Sequence, residues 1–350
     1  LQHYLTDALN SQFNTYCAPK YQVNMLPRNV DCMGAMMIRA SLILTGAMFA
    51  FVSGAHAADL PLKAAPIAAQ PAVSGYLGLY IGGSTSSNDS NYDDHPHGGV
   101  FAFGAVGAVN TWLSSGMSVQ FSAHAEGTSG YDYDCCSYTE ARFSGIMGGH
   151  VALRDPNSHA VGVFAAFTGT NNMAYDGANG GALGGIEAQK YLGNLTLYGQ
   201  LGLGGQFNDA QAGMIDDYWF IRGVARYFIN PNLRVDGEIS YADGDHQKWY
   251  GESGGSIDIL SWGLGIENRL TGSPFSFFAG YAGDRIKGQA DFCNNSNEVT
   301  QHTFLVGAKM NFGEPTLLAN DRHGATFDLP KFHRAMPWSE VSGWGSNCIR

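Results

Sequence analysis

The sequence predicts an all-β chain: a transmembrane antiparallel up-and-down β-barrel of about 12 strands, with long extracellular loops and short periplasmic turns. Three observations carry this. About twelve runs alternate apolar and polar residues, and the connections between them alternate long and short. Charged residues make up only 14% of the chain while Gly takes 47 of 350 positions, against roughly 25% and about 7% in ordinary globular chains. A period of two puts successive side chains on opposite faces of a strand. Beyond residue 57 no apolar run reaches the ~20 residues of a membrane helix. The mean hydropathy of −0.12 is what alternating strands average to.

The front of the chain predicts export. Met36 to Ala58 reads MMIRASLILTGAMFAFVSGAHAA. Arg39 gives a short positive region, Ala40 to Val52 an apolar core too short to span a bilayer, and Ala55 and Ala57 the small residues a signal peptidase requires. Residues 36–57 therefore read as a secretory signal cut after Ala57. Residues 1–35 are then expected to be upstream sequence translated from a misplaced start, and Cys17 and Cys32 leave the mature chain with them. Residues 58–74, with Pro61 and Pro66 and no periodicity, read as an Ala/Pro linker.

The barrel is expected over residues 75–313. Its strands are predicted at Gly75 to Ser84, Gly98 to Leu113, Gly116 to Glu126, Tyr138 to Leu153, Ala160 to Gly169, Ala182 to Leu192, Leu195 to Phe207, Tyr218 to Ile229, Leu233 to Ala242, Ile257 to Leu270, Phe275 to Lys287 and Gln301 to Phe312. The clearest pair is the hairpin from Ala182 to Phe207, where Gly193-Asn194 makes the turn. Leu195, Leu197, Leu201, Leu203 and Phe207 alternate there with Thr196, Tyr198, Gln200 and Gln206. Short connections follow the even-numbered strands (Ser114-Ser115, Gly193-Asn194, Asn230-Pro231-Asn232), and longer polar ones follow the odd (Thr85 to His97, Gly127 to Ser137, Asp243 to Ser256). That rhythm belongs to membrane barrels.

The faces sort charge inward. Trp219, Ile221, Ala225, Tyr227 and Ile229 are expected to meet lipid, with Arg222 and Arg226 facing inward. Leu233, Val235, Ile239 and Tyr241 alternate with Arg234, Asp236, Glu238 and Ser240. A charge at the lipid midplane costs roughly 2–4 kcal/mol. Aromatics such as Tyr191, Tyr198, Trp219, Tyr227, Phe228, Trp262, Phe275 and Phe277 are expected in the interfacial girdles.

The candidate lumen residues are Glu126, Glu140, Arg142, His150, Glu187, Arg222, Arg226, Arg234, Asp236, Glu238, Glu267, Arg269 and Lys309, with Gln120 and His124 near them. Two readings stay open. In one they line a water-filled pore whose charges select solutes; in the other they form an ion-pair and hydrogen-bond network that fills a narrow barrel. Arg222, Arg226 and Arg234 on adjacent strands are expected to form a basic strip opposite acids around Glu126, Glu140 and Glu187.

No catalytic site is expected. Gly251-Glu252-Ser253-Gly254-Gly255 fits G-x-S-x-G, but without the following helix that places such a serine. Asp89, Asp93, Asp94, His95 and His97 crowd one loop in an order that matches no defined cation loop, so no metal and no cofactor are expected. Of the cysteines left after export, Cys135 or Cys136 could form a disulfide with Cys293 if the loops fold over the barrel mouth; Cys348 lies in the tail. The net charge of −11 disfavours nucleic acid.

The Ala-His-Ala end of the signal, followed by Ala-Asp-Leu-Pro-Leu-Lys-Ala, and the closing strand HTFLVGAKMNFG (His302 to Gly313) resemble porin-like outer-membrane β-barrel proteins of alphaproteobacteria. The resemblance brackets the chain from Asp59 to Gly313. It implies a place in the bacterial outer membrane, contact with outer-membrane lipid and lipopolysaccharide, assembly by the barrel assembly machinery, and passive diffusion of small solutes or ions. The alternative is a structural or surface-interaction barrel with a closed lumen. Oligomeric state is not legible. Many such barrels end on the aromatic of the last strand; here residues 314–350 follow and read as a periplasmic extension, folding against the turns or plugging the lumen, with readthrough past the natural end as the alternative.

Overall fold

The computed structural model describes residues 72–88, 98–133, 138–171, 178–207, 215–246, 255–290 and 295–335. The expected signal, residues 58–71 of the expected linker, Cys135, Cys136, Cys293, the Asp89 to His97 cluster and the Gly251 to Gly254 stretch lie outside the described residues; Val73 and Ser74 at the linker's end already belong to the first strand.

Twelve antiparallel strands close on themselves in chain order, β1 pairing with both β2 and β12. They are β1 (Val73–Asn88), β2 (Gly98–Ser114), β3 (Met117–Tyr133), β4 (Tyr138–Asp155), β5 (His159–Asn171), β6 (Ala178–Leu192), β7 (Leu195–Gln206), β8 (Ile215–Asn230), β9 (Leu233–His246), β10 (Ser256–Arg269), β11 (Phe275–Ala290) and β12 (Asn295–Phe312). Closure removes the unpaired edges that an open sheet would present. Gly193 takes φ +60, the left-handed conformation that a two-residue hairpin needs, and sets the register Glu187↔Gln200.

Each predicted strand has its counterpart, but most run further toward the long-loop end. β3 continues to Tyr133, and β12 starts at Asn295 rather than Gln301. Only 134–137 and 291–294 then separate two of the hairpins. The physical reason is that backbone pairing does not need an apolar face, so the ladder continues where the apolar alternation that reveals a strand fades.

Alternation sets the two faces. Ile81, Val163, Ile186, Leu201, Ile221, Ile239, Leu264 and Val306 point outward and are exposed, whereas Gln120, His150, Glu187, Gln200 and Arg222 point inward and are buried. A continuous apolar belt of this extent is far larger than the patches that soluble monomers tolerate, so it suits contact with lipid. No helix among the described residues is long and apolar enough to cross a membrane. Phe101 and Phe103, Phe167 and Phe207, and Trp219 and Tyr241 pair on the exterior near the long-loop end, with Phe275 and Phe277 exposed near the other. Tyr191, Tyr198 and Phe228 do not join these girdles. They share the inward parity of Gln189, Thr196 and Arg226 and are buried in the lumen.

Leu201 pairs with Ile221 and Ile186 midway along its strand. Leu201→Arg is expected to lower the stability of the folded barrel in vesicles by about 2–4 kcal/mol, measured by denaturant unfolding. Wild-type stability of this variant would refute the lipid-facing assignment.

Candidate functional site

The lumen holds the chain's own C-terminal segment. After β12, Gly313 adopts φ +85, and a Cβ there would meet the Val73 carbonyl at 2.6 Å; only glycine makes this corner comfortably. The chain then turns into the barrel from the short-turn end. The Arg269 guanidinium donates to the Glu314 carbonyl at 2.7 Å, and the Leu318 amide to the Pro231 carbonyl at 3.0 Å. Of the two dispositions expected for this segment, the chain takes the one inside the lumen as far as Ala335; residues 336–350 lie outside the described residues.

Helix α1 (Leu317–His323) forms at this entrance. Thr316 caps it by accepting from the Ala319 amide at 3.0 Å, and Arg322 and His323 in its last turn complement the helix dipole. The carbonyls at its far end are claimed by barrel side chains. Trp112 donates to the His323 carbonyl at 2.8 Å, and Arg154 to that of Gly324 at 2.8 Å. Arg322 donates to the Gly193 carbonyl at 2.8 Å and lies over the Tyr191 ring at 4.3 Å.

Residues 325–331 continue without helix or strand, and the barrel bonds mainly to their backbone. The Thr326 and Phe327 amides donate to Gln120 Oε1 at 2.9 and 3.1 Å, and Gln120 Nε2 donates back to the Phe327 carbonyl. Gln189 and Arg226 donate to the Thr326 carbonyl at 3.3 and 2.8 Å. Tyr198 and Gln200 donate to that of Asp328 at 3.1 and 3.0 Å. The Phe327 ring stacks on His150, centroids 5.5 Å apart.

Arg226 is the electrostatic centre. It pairs with Asp321 at 3.1 Å and also with Asp328. Burial alone would raise the Asp321 carboxyl, but Arg226, the Thr196 hydroxyl and Arg322 outweigh it and hold the group below the usual carboxylate range. The same contest at Asp328 is decided by Arg226 and Arg222. Asp328 is 35% exposed where Asp321 is 1% exposed, so the Asp321 pair is the less screened of the two.

Toward the long-loop end the inner wall turns apolar. Phe332, Leu329 and Ala335 pack among Ile146, Phe164, Leu183, Phe220, Ile257, Ile259 and Ile286, with the Phe332 ring 5.4 Å from that of Phe220. Lys331 pairs with Glu238 at 3.0 Å, and Arg334 with Glu126 at 3.5 Å and Asp284 at 4.0 Å. The His333 ring stands edge-on to His124 at 4.7 Å. Burial first, then His124, Arg334 and Lys331, depress its pKa well below the ordinary value.

The segment leans on one side of the lumen. Between it and the small inward residues Gly263, Gly265, Gly280 and Ala282 remains a crevice of about 200 Å³, lined also by Arg234, Asp236, Glu267, Lys309, Asp328 and Lys331.

The expected lumen residues distribute as follows. Glu126, His150, Glu187, Arg222, Arg226, Glu267 and Arg269 are buried inside, and Arg234, Asp236, Glu238 and Lys309 line the lumen less fully covered. The side chains of Glu140 and Arg142 lie outside the described residues. The expected opposed strips do not form around Glu187. Register sets Glu187, Gln200 and Arg222 in one row on β6, β7 and β8. Gln200 bonds both neighbours, at 3.1 and 2.9 Å, and Arg222 bonds Glu238 at 2.8 Å. Opposite charges alternate along the wall because adjacent strands bring them together. Glu267 is shared by Lys309 at 2.7 Å and Arg234 at 3.2 Å.

The sequence reasoning missed Asp321, Asp328, Lys331 and Arg334, and the inward apolar set around Phe220. A signal existed: LLANDRHGATFDLPKFHR (residues 317–334) carries 5 charged residues in 18, twice the chain's 14%, as a buried ionic segment would.

No protein-family model matches this chain, and no curated protein does. Solved structures with similar architecture are outer-membrane β-barrels. An outer membrane channel from Pseudomonas putida F1 aligns at TM-score 0.46 and 10% identity, over 71% of this chain and 100% of that one. The translocator domain of the autotransporter NalP from Neisseria meningitidis aligns at 0.41 and 9%, over 81% and 98%. The KdgM porin, in complex with disordered oligogalacturonate, aligns at 0.36 and 7%, over 67% and 99%.

Proposed function

We propose that this chain is an outer-membrane barrel closed at rest by its own C-terminal segment, and that it passes small solutes or ions only when that segment leaves. The carrying observation is the pairing of Arg226 with Asp321 and Asp328 inside the lumen. Burying those charges is costly unless they are paired, so lumen and segment read as parts of one design. The apolar belt and its flanking aromatics support the outer membrane as the location, with lipid and lipopolysaccharide around it and assembly by the barrel machinery.

Passive diffusion without release of the segment is the second reading, favoured by the crevice of about 200 Å³ beside it. Planar-bilayer recording separates the two. The full chain is expected to conduct weakly, and the same barrel to conduct in clear steps after a protease site inserted between Glu314 and Pro315 is cut and the segment washed out. Equal conductance before and after would refute closure by the segment and favour the crevice.

A further inference from the structure

We infer that the lumen is a binding site for peptide segments, with the C-terminal segment as its resident ligand, so that a comparable segment of another polypeptide can take its place. This rests on the reading that the segment fills and closes the lumen.

Most of the polar contacts across 323–328 reach the main chain. Gln120 serves two amides and a carbonyl, Gln200 and Tyr198 serve the Asp328 carbonyl, and Trp112 and Arg154 serve the carbonyls of His323 and Gly324. Any peptide following the same course presents these groups, whatever its side chains, proline apart.

Selectivity comes from four anchors. Asp321 and Asp328, seven residues apart, meet Arg226; Phe327 stacks on His150; and Phe332 enters the apolar ring with Phe220. The ligand class is therefore a peptide with two carboxylates at that spacing, an aromatic just before the second and another four residues after it. Gly263, Gly265 and Gly280 leave the crevice on the other side of the segment, which gives room for larger side chains at non-anchor positions. Entry is from the short-turn end, where the resident segment enters. A tethered resident holds an effective concentration of about millimolar, so exchange needs the tether cut or the resident loosened.

The test uses the full chain, folded in vesicles, with the cleavable site between Glu314 and Pro315. After cutting and high-salt washing, labelled peptides are added and followed by anisotropy, with conductance block as a second readout. A peptide of residues 316–335 and one retaining only Asp321, Phe327, Asp328 and Phe332 are expected to bind within about tenfold of each other. Changing both carboxylates to amides is expected to weaken binding by roughly a hundredfold, about tenfold for each charged hydrogen bond lost. Binding of the native peptide alone would overturn the inference, because the site would then be private to this sequence. Retention of the cut segment through washing would overturn exchange. A conducting, washed barrel that binds no peptide would overturn the inference while leaving the proposed function intact. Removal of the segment with no gain in conductance would overturn the proposed function instead.

Discussion

Replacing Arg226 with methionine is expected to unseat the C-terminal segment and open the barrel. The guanidinium serves Asp321, Asp328 and the Thr326 carbonyl together. Methionine fills similar volume, so the wall stays packed while Asp321, 1% exposed, keeps Arg322 but loses its counter-charge on the barrel wall. Breaking a buried pair from one side costs about 3–5 kcal/mol, which shifts the seated-to-free ratio by roughly a hundredfold to a thousandfold. Recording should show frequent openings, and trypsin added to the barrel should cut at Lys331 and Arg334. The partner change discriminates the cause. Arg226→Met with Asp321→Leu replaces the pair by apolar groups, and such replacements are often neutral or stabilising; this double variant is expected to reseat the segment and close again. Openings that persist unchanged in the double variant would assign the effect to general loosening of the wall. Any change of ion selectivity at Arg226 should then appear only in the open state, because in the closed state that charge is already neutralised by the segment.

The twelve strands and their facing were legible because the exterior must repeat an apolar residue every second position to meet lipid. Leu197, Leu201, Ile221 and Ile239 advertise that rule. The far strand ends were not, since the sequence around Tyr133 and Asn295 lacks the aliphatic residues that alternate elsewhere. Inside the barrel the difficulty is different. The inward face of β8 reads Phe220, Arg222, Val224, Arg226, Phe228, a mixture that fits neither a water-filled pore nor a plain apolar core. It becomes intelligible only beside Phe332, Asp328 and Asp321, which are about a hundred residues away in sequence and have no periodic relation to it. Tyr198 was misplaced for a related reason. An aromatic near a strand end suits a lipid interface equally well, and only parity with Thr196 and Gln200 shows that its hydroxyl reaches Glu187 at 2.6 Å.

Acidification is expected to release the segment in two stages, and His333 sets the first. Its imidazole is fully buried, and neither ring nitrogen has a hydrogen-bond partner among the described residues. The groups facing it are His124 of β3, its own neighbours Lys331 and Arg334, and, through Arg334, Glu126 and Asp284. The seated pKa is depressed, so protons favour the free segment. The stability contributed by the neutral ring is therefore fully present above the free value of about 6.5 and is lost as pH falls below it, by up to about 1.4 kcal/mol per pH unit. Asp321 is also depressed when seated, and its contribution is present above the free value of about 3.9 and disappears as pH drops through its lower seated value. Open probability in the bilayer should thus begin to climb below about pH 6.5 and climb again below about pH 4. His333→Phe keeps an aromatic ring against His124 without a titrating group, and is expected to erase the first rise while sparing the second. An unchanged first rise in this variant would move the proton site away from His333, with His124 across the contact as the next residue to replace.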